Sequence, residues 1–182
     1  MRKLAFALMI SVILLGCSNN SEEPDLHEFY GDITQANMEA IIRSDHGDRI
    51  VEFAVRYELT TNSELVTILE PTELSGVAVT LSQDGNSIEF DGLTLETGTL
   101  PATRLSPLWA VPFAMRAWRE GHIETSGVSG GDVSAVFMST YEGVSHEIVS
   151  VFDAESLKPK RTEIFADEIR VLEITFRSVE IL

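Results

Sequence analysis

In the stretch Val51-Glu52-Phe53-Ala54-Val55-Arg56-Tyr57-Glu58-Leu59, large apolar side chains stand at every second position, and Glu52, Arg56 and Glu58 stand between them. A period of two places one set on a core face and the other in water, the pattern of a half-buried antiparallel strand. Phe53, Val55 and Tyr57 therefore point inward, and Arg56 and Glu58 outward. Upstream, Met38, Ala40 and Ile42 alternate with Asn37, Glu39 and Arg43. Asp45-His46-Gly47-Asp48 supplies turn residues between the two runs, so they read as a hairpin.

The alternation continues in both directions from there. Leu65 to Glu70 is a strand stopped by Pro71, and Val77, Val79 and Leu81 mark the next. Asp84-Gly85-Asn86 is a hairpin turn, after which Ile88 and Phe90 share a face. Gly92 marks a bend, and Leu93 and Leu95 resume the alternation. Val133–Tyr141, Ser145–Phe152, Pro159–Ala166 and Ile169–Phe176 are rich in β-branched and aromatic residues. The chain is thus α+β and mainly β, with about ten antiparallel strands at hairpin spacing.

Two segments break the pattern. Leu26 to Tyr30 reads as a short helix closed by Gly31. Ser106-Pro107 gives an N-cap and a first-turn proline, and Gly121 stands at the other end of a helix over Leu108–Glu120. Leu108, Val111, Met115 and Trp118 form one stripe of that helix, and Trp109, Phe113 and Ala117 a second. A helix this apolar around its girth is covered on most sides. Pro112 is expected to kink or restart it. A sheet of about ten strands curls into an incomplete barrel, whose trough the helix either plugs or covers as a lid. Phe53, Val55, Tyr57, Val79 and Phe90 on the strands, with Trp109, Phe113, Met115 and Trp118 on the helix, are the residues expected to line a ligand cavity there.

Residues 1–16 combine Arg2 and Lys3 with a run from Leu4 to Leu15 that is too short to span a bilayer. The only cysteine, Cys17, follows Leu14-Leu15-Gly16, which resembles the lipobox of bacterial lipoproteins. That resemblance implies a cleaved signal peptide and a lipid-bearing Cys17, with the mature chain anchored by acyl chains on the extracytoplasmic face. Ser18 permits outer-membrane sorting where the host has an outer membrane. Residues 17–25 carry the cysteine and a small, acidic tether, and 26–182 form one domain. Loss of Arg2 and Lys3 takes the net charge from −16 to −18. Such a surface repels nucleic acid and anionic lipid headgroups alike, so attachment falls to the acyl chains.

Enzymatic signals are weak. Gly127-Val128-Ser129-Gly130-Gly131 fits G-x-S-x-G, but a nucleophile elbow needs a strand before it and a helix after it, and Asp132–Tyr141 reads as a strand. Gly130-Gly131 reads instead as a flexible connection. His27, His46, His122 and His146 have no metal-ligand spacing. No catalytic residue, metal or cofactor is expected, and the chain reads as a non-enzyme.

The order of elements (lipidated start, short helix, strands, apolar helix, strands) resembles the LolA-like superfamily of lipoprotein carriers, lipidated acceptors and lipid-transporting lipoproteins. Thr67-Ile68-Leu69-Glu70-Pro71, Leu74-Ser75-Gly76-Val77, Asp84-Gly85-Asn86-Ser87-Ile88-Glu89-Phe90 and Leu105-Ser106-Pro107 carry the resemblance, which is strongest to lipoproteins of Gram-positive bacteria. It implies an incomplete barrel whose apolar cavity takes lipid or acyl chains. A lipidated Cys17 departs from the soluble carriers, and Leu100-Pro101 is the nearest candidate for a membrane-inserting loop tip. The expected partners are the membrane and a lipid ligand, with an envelope protein as a further partner. The alternative is a sensor or protein-interaction module on the same fold.

Overall fold

The computed structural model describes residues 24–45, 49–82, 85–97, 106–141 and 143–182. The signal segment, Cys17 and most of the tether lie outside these residues, as do 46–48 and Asp84 of the expected turns and the Leu100-Pro101 tip. Helix α1 spans Leu26–Gly31, followed by strands β1 Ala36–Asp45, β2 Ile50–Leu59 and β3 Ser63–Glu70. A 3-10 turn at Thr72–Leu74 leads to β4 Ala78–Ser82, β5 Gly85–Phe90 and β6 Leu93–Thr97. Helix α2 spans Pro107–Glu120. Then come β7 His122–Ser129, β8 Asp132–Tyr141, β9 Val144–Asp153, β10 Pro159–Ala166 and β11 Ile169–Ile181.

The strands form one open antiparallel sheet in the order β6-β5-β4-β3-β2-β1-β11-β10-β9-β8-β7. The chain starts mid-sheet and steps outward by hairpins to the β6 edge. Helix α2 comes between the two edge strands in sequence, and from β7 the chain steps back until β11 pairs with β1. This is the half-barrel that the resemblance implies, with eleven strands where about ten were expected. The additional strand is β7. It absorbs Gly127, Val128 and Ser129, while Gly130 (φ 63°) and Gly131 (φ 86°) make the tight turn into β8. Positive φ at both central residues is what a two-residue hairpin of the strand-matching hand requires. The G-x-S-x-G stretch is therefore hairpin rather than flexible linker.

Side-chain parity follows the alternation. Val55 and Tyr57 are buried, Phe53 is half-buried on the same face, and Arg56 pairs with Glu39 across the outer face at 2.8 Å. Inner rows run straight across the sheet. Ala135, Ser150, Thr162, Ile174, Ile42 and Phe53 are successive cross-strand partners from β8 to β2.

Helix α2 packs into this concavity with Ala110 to Met115, Ala117 and Trp118 buried. It runs as a single element through Pro112, in place of the expected restart. Pro112 lacks the N–H that would bond the Leu108 carbonyl. Ser106 takes the N-cap position but makes no side-chain cap bond. Gly121 is needed for close approach, because a Cβ there would meet the Ala117 carbonyl oxygen at 2.6 Å.

Trp118 is the anchor of the helix. Its ring is sealed among Tyr30, Phe152 and Phe176, and its indole N–H donates to Ser150 Oγ at 2.8 Å. Ser150 and Thr162 share a further bond at 3.0 Å, so a buried polar chain ties the helix to β9 and β10. Helix α1 locks the same end. His27 Nδ1 lies 2.9 Å from the Trp118 carbonyl, Arg119 donates to the Tyr30 and Ile33 carbonyls, and the Tyr30 hydroxyl donates to the Leu157 carbonyl at 2.6 Å.

Replacing Trp118 with Ala is expected to cost about 3–5 kcal/mol, since it opens a cavity and removes the indole donor to Ser150. Glu58→Lys on the outer face should stay within about 0.5 kcal/mol of wild type. Urea denaturation measures both, and equal losses would refute this assignment of faces.

Candidate functional site: an apolar pocket, an uncovered strip and a polar cleft

Helix α2 does not cover the whole inner face. Tyr57, Val66, Val79, Ile88 and Leu95 are successive partners from β2 to β6 and so share that face. The first three are buried, Ile88 is half-buried, and Leu95 is 66% exposed. Phe90 and Leu93, paired two positions further along β5 and β6, are 46% and 78% exposed. Core-facing positions of β5 and β6 thus carry apolar side chains that meet water. Clustered exposed apolar surface of this kind marks a binding site more often than scattered exposed leucines do.

Beside this strip lies an apolar pocket of about 230 Å³ between the sheet and the start of α2. Phe53, Val55 and Ile68 form its floor, Leu74 and Val77 one side, and Pro107 and Leu108 its roof. Val77 leads into β4, and Phe90 ends the neighbouring β5 on the same face, so apolar surface continues from the pocket toward the sheet edge. The pocket is smaller than the ~300–1,000 Å³ of most small-molecule sites. Only part of a long ligand fits inside it.

A second, larger cleft of about 800 Å³ lies along the outward side of α2. Trp109, Arg116 and Glu120 line it from the helix, the β2–β3 turn and Glu64 from one wall, and Tyr141 from the other. Glu64 is an inner-face residue, cross-strand from Leu59. Its carboxylate accepts a hydrogen bond of 3.0 Å from the Tyr57 hydroxyl. Burial raises the Glu64 pKa above the ordinary carboxylate value, while the Tyr57 bond and the charges of Arg116 and Arg119 oppose the rise. Burial, then the Glu64 charge, holds the Tyr57 hydroxyl far above the usual tyrosine range.

The nine residues expected to line one cavity are separated by the structure. Phe53 and Val55 line the apolar pocket, Phe90 lies on the uncovered strip, and Trp109 lines the polar cleft. Tyr57, Val79, Phe113, Met115 and Trp118 are packed in the core with 3% exposure or less. The helix fills the trough above them, and they line neither the pocket nor the cleft. Leu108, Leu74, Leu93 and Leu95 were not expected at a site. The signal that would place Leu93 and Leu95 on the face of Ile88 and Phe90 is the two-residue Asp91-Gly92 turn, which sets Phe90 opposite Leu93. Parity with Val66 and Ile68 is the signal that would put Glu64 on the inner face.

His146 is buried against Phe113, with Nδ1 3.1 Å from the Val144 carbonyl, and burial lowers its pKa. Among the described residues, no group of three His, Cys, Asp or Glu is placed to hold a metal ion.

No protein-family model and no curated protein matches the chain. Solved structures do. A conserved protein of Thermus thermophilus aligns with a TM-score of 0.54 at 8% identity, over 87% of this chain and 84% of its own. The LolA superfamily protein NE2245 of Nitrosomonas europaea aligns at 0.46 and 12% identity, over 86% and 92%. An outer membrane lipoprotein-sorting protein domain of Vibrio parahaemolyticus aligns at 0.47 and 8%, over 85% and 88%. The likeness to the Thermus protein is one of fold.

A carboxylate whose folded pKa is raised favours folding most when protonated, so its contribution is present at low pH and lost as pH rises. Glu64→Gln keeps an oxygen to accept from Tyr57 and removes the charge. The variant should gain stability relative to wild type as pH rises through and above the ordinary carboxylate range. Thermal unfolding across that range tests this, and a pH-independent difference would contradict it.

Proposed function

We propose that the chain is an extracytoplasmic lipoprotein, held on a membrane through acylated Cys17, that binds a lipid by an acyl chain. The apolar pocket continuing into the uncovered strip of β5 and β6 carries this reading. An acyl chain enters the pocket below Leu108 and lies over Phe90 and Leu93 toward the open edge. Covering apolar area of this kind is worth roughly 25 cal/mol per Å². The pocket walls offer almost no polar partner, so the ligand's polar end stays outside. In this reading α2 is a fixed plug and not a lid, because its large side chains are already satisfied by the core. The lipobox at Leu14 to Cys17 supplies the anchor, on the outer leaflet of a cell membrane or in an outer membrane. Among the described residues that line the pocket there is no acid–base pair and no nucleophile with a base, which supports binding over catalysis.

A second reading, a sensor or interaction module for an envelope protein, is favoured by one observation. Among the described residues, β6 has a strand neighbour on one side only, and an open edge accepts a partner strand.

Phe90→Asp and Leu93→Asp change exposed side chains, so folding should be kept while acyl-chain affinity falls about tenfold or more, or ~1.4 kcal/mol. Displacement of a fluorescent long-chain fatty acid measures this. Cys17→Ser should abolish incorporation of radioactive palmitate. Unchanged affinity in both Asp variants would remove the acyl-chain reading, and persistent labelling would remove the anchor.

A further inference from the structure

The acyl-chain reading leaves the larger cleft without a role, and its chemistry is unlike that of the pocket. Its volume of about 800 Å³ lies in the range of small-molecule sites. Its walls carry hydroxyl and amide groups, among them Thr61, Asn62, Asn86 and Thr140, which an alkyl chain would desolvate at a cost. Its charges balance, with Arg116 and Arg119 facing Glu64 and Glu120, so neither an anion nor a cation is selected. The half-buried ring of Trp109 stands on one side and that of Tyr141 on the other.

We infer that this cleft binds a neutral saccharide of one to three rings. A pyranose has an apolar C–H face and a rim of hydroxyls. Trp109 offers an aromatic surface for that face, supplying contact area at little entropic cost. Planar polar groups suit the rim. The Glu64 carboxylate accepts from hydroxyls while Tyr57 holds one of its oxygens in place at 3.0 Å. Arg116 donates in a fixed fork and forms no ion pair with a described residue. Arg119 is tethered to the carbonyls of Tyr30 and Ile33, so that wall of the cleft is held rigid before any ligand arrives.

The saccharide can be free or the headgroup of an amphiphile, because exposed Leu95 is the diagonal neighbour of the cleft residue Asn86 on the same face of β5 and β6, Asn86 pairing with Thr97 and Leu95 with Ile88.

The test is calorimetric titration of the full chain, extracted in a sugar-free zwitterionic detergent, with maltotriose, cellotriose and triacetylchitotriose. At least one should bind saturably. Trp109→Ala should weaken that binding tenfold or more, whereas Trp109→Phe, which keeps a ring, should change it less than threefold. Glu64→Gln and Arg116→Ala should each weaken it severalfold, Arg116→Ala with an unchanged melting curve. Phe90→Asp should leave it unaltered, so the acyl-chain reading can fail while this one stands. Octyl maltoside below its micelle concentration, compared with maltose, separates the sources. Tighter binding that Leu95→Asp removes marks a headgroup, and equal binding marks a free sugar. No binding of any of the three trisaccharides, or wild-type binding in Trp109→Ala, would overturn the inference.

Discussion

An open eleven-stranded sheet has an apolar inner face that it cannot cover by itself, and the seating of α2 on that face sets everything else. The seat is specified at Trp118. Its ring fills the space between Tyr30, Phe152 and Phe176, and its N–H must find Ser150. A purely greasy helix could slide or rotate in such a trough with little penalty. A buried donor with a single acceptor removes that freedom, because any other register leaves the indole N–H unsatisfied in the core. Helix α1 then closes the same end through His27, Tyr30 and Arg119, so the C-terminal half of α2 is held from three directions.

The functional surface is what that seating leaves over. One helix of fourteen residues cannot cover a face eleven strands wide. It covers the middle and stops short of β5 and β6, so apolar residues patterned for a core stand in water at Phe90, Leu93 and Leu95. The start of α2 stands off the sheet enough to leave a pocket over Phe53 and Val55, while its outward side leaves the polar cleft. Firm packing at one end and open space at the other make the helix a divider between an apolar site and a polar one.

Much of this was legible in the chain. The alternation of Val51–Leu59 placed Tyr57 inside and Arg56 outside, and Pro107 and Gly121 bracketed α2 to the residue. Strand β7 was not legible, because His122–Ser129 is an edge strand exposed over nearly all its length and needs no alternation. The division of the inner-face residues into core and surface was also hidden. Val79 and Phe90 belong to the same apolar face, and only the position of α2 makes one of them core and the other exposed. Pro112 pointed to a kink or a restart, and packing on nearly every side keeps the helix from restarting there. Tertiary coverage, which no local pattern encodes, accounts for each of these differences.

The central claim is that α2 stays seated and the acyl chain takes the strip that it leaves free. Photo-crosslinking with a diazirine-bearing palmitate, followed by peptide mass spectrometry, tests it most directly. The account predicts adducts on Leu74, Phe90, Leu93 and Leu108 and none on Phe113, Met115 or Trp118. Adducts on those three helix residues would mean that the helix lifts to admit the chain beneath it, and the fixed plug would be wrong.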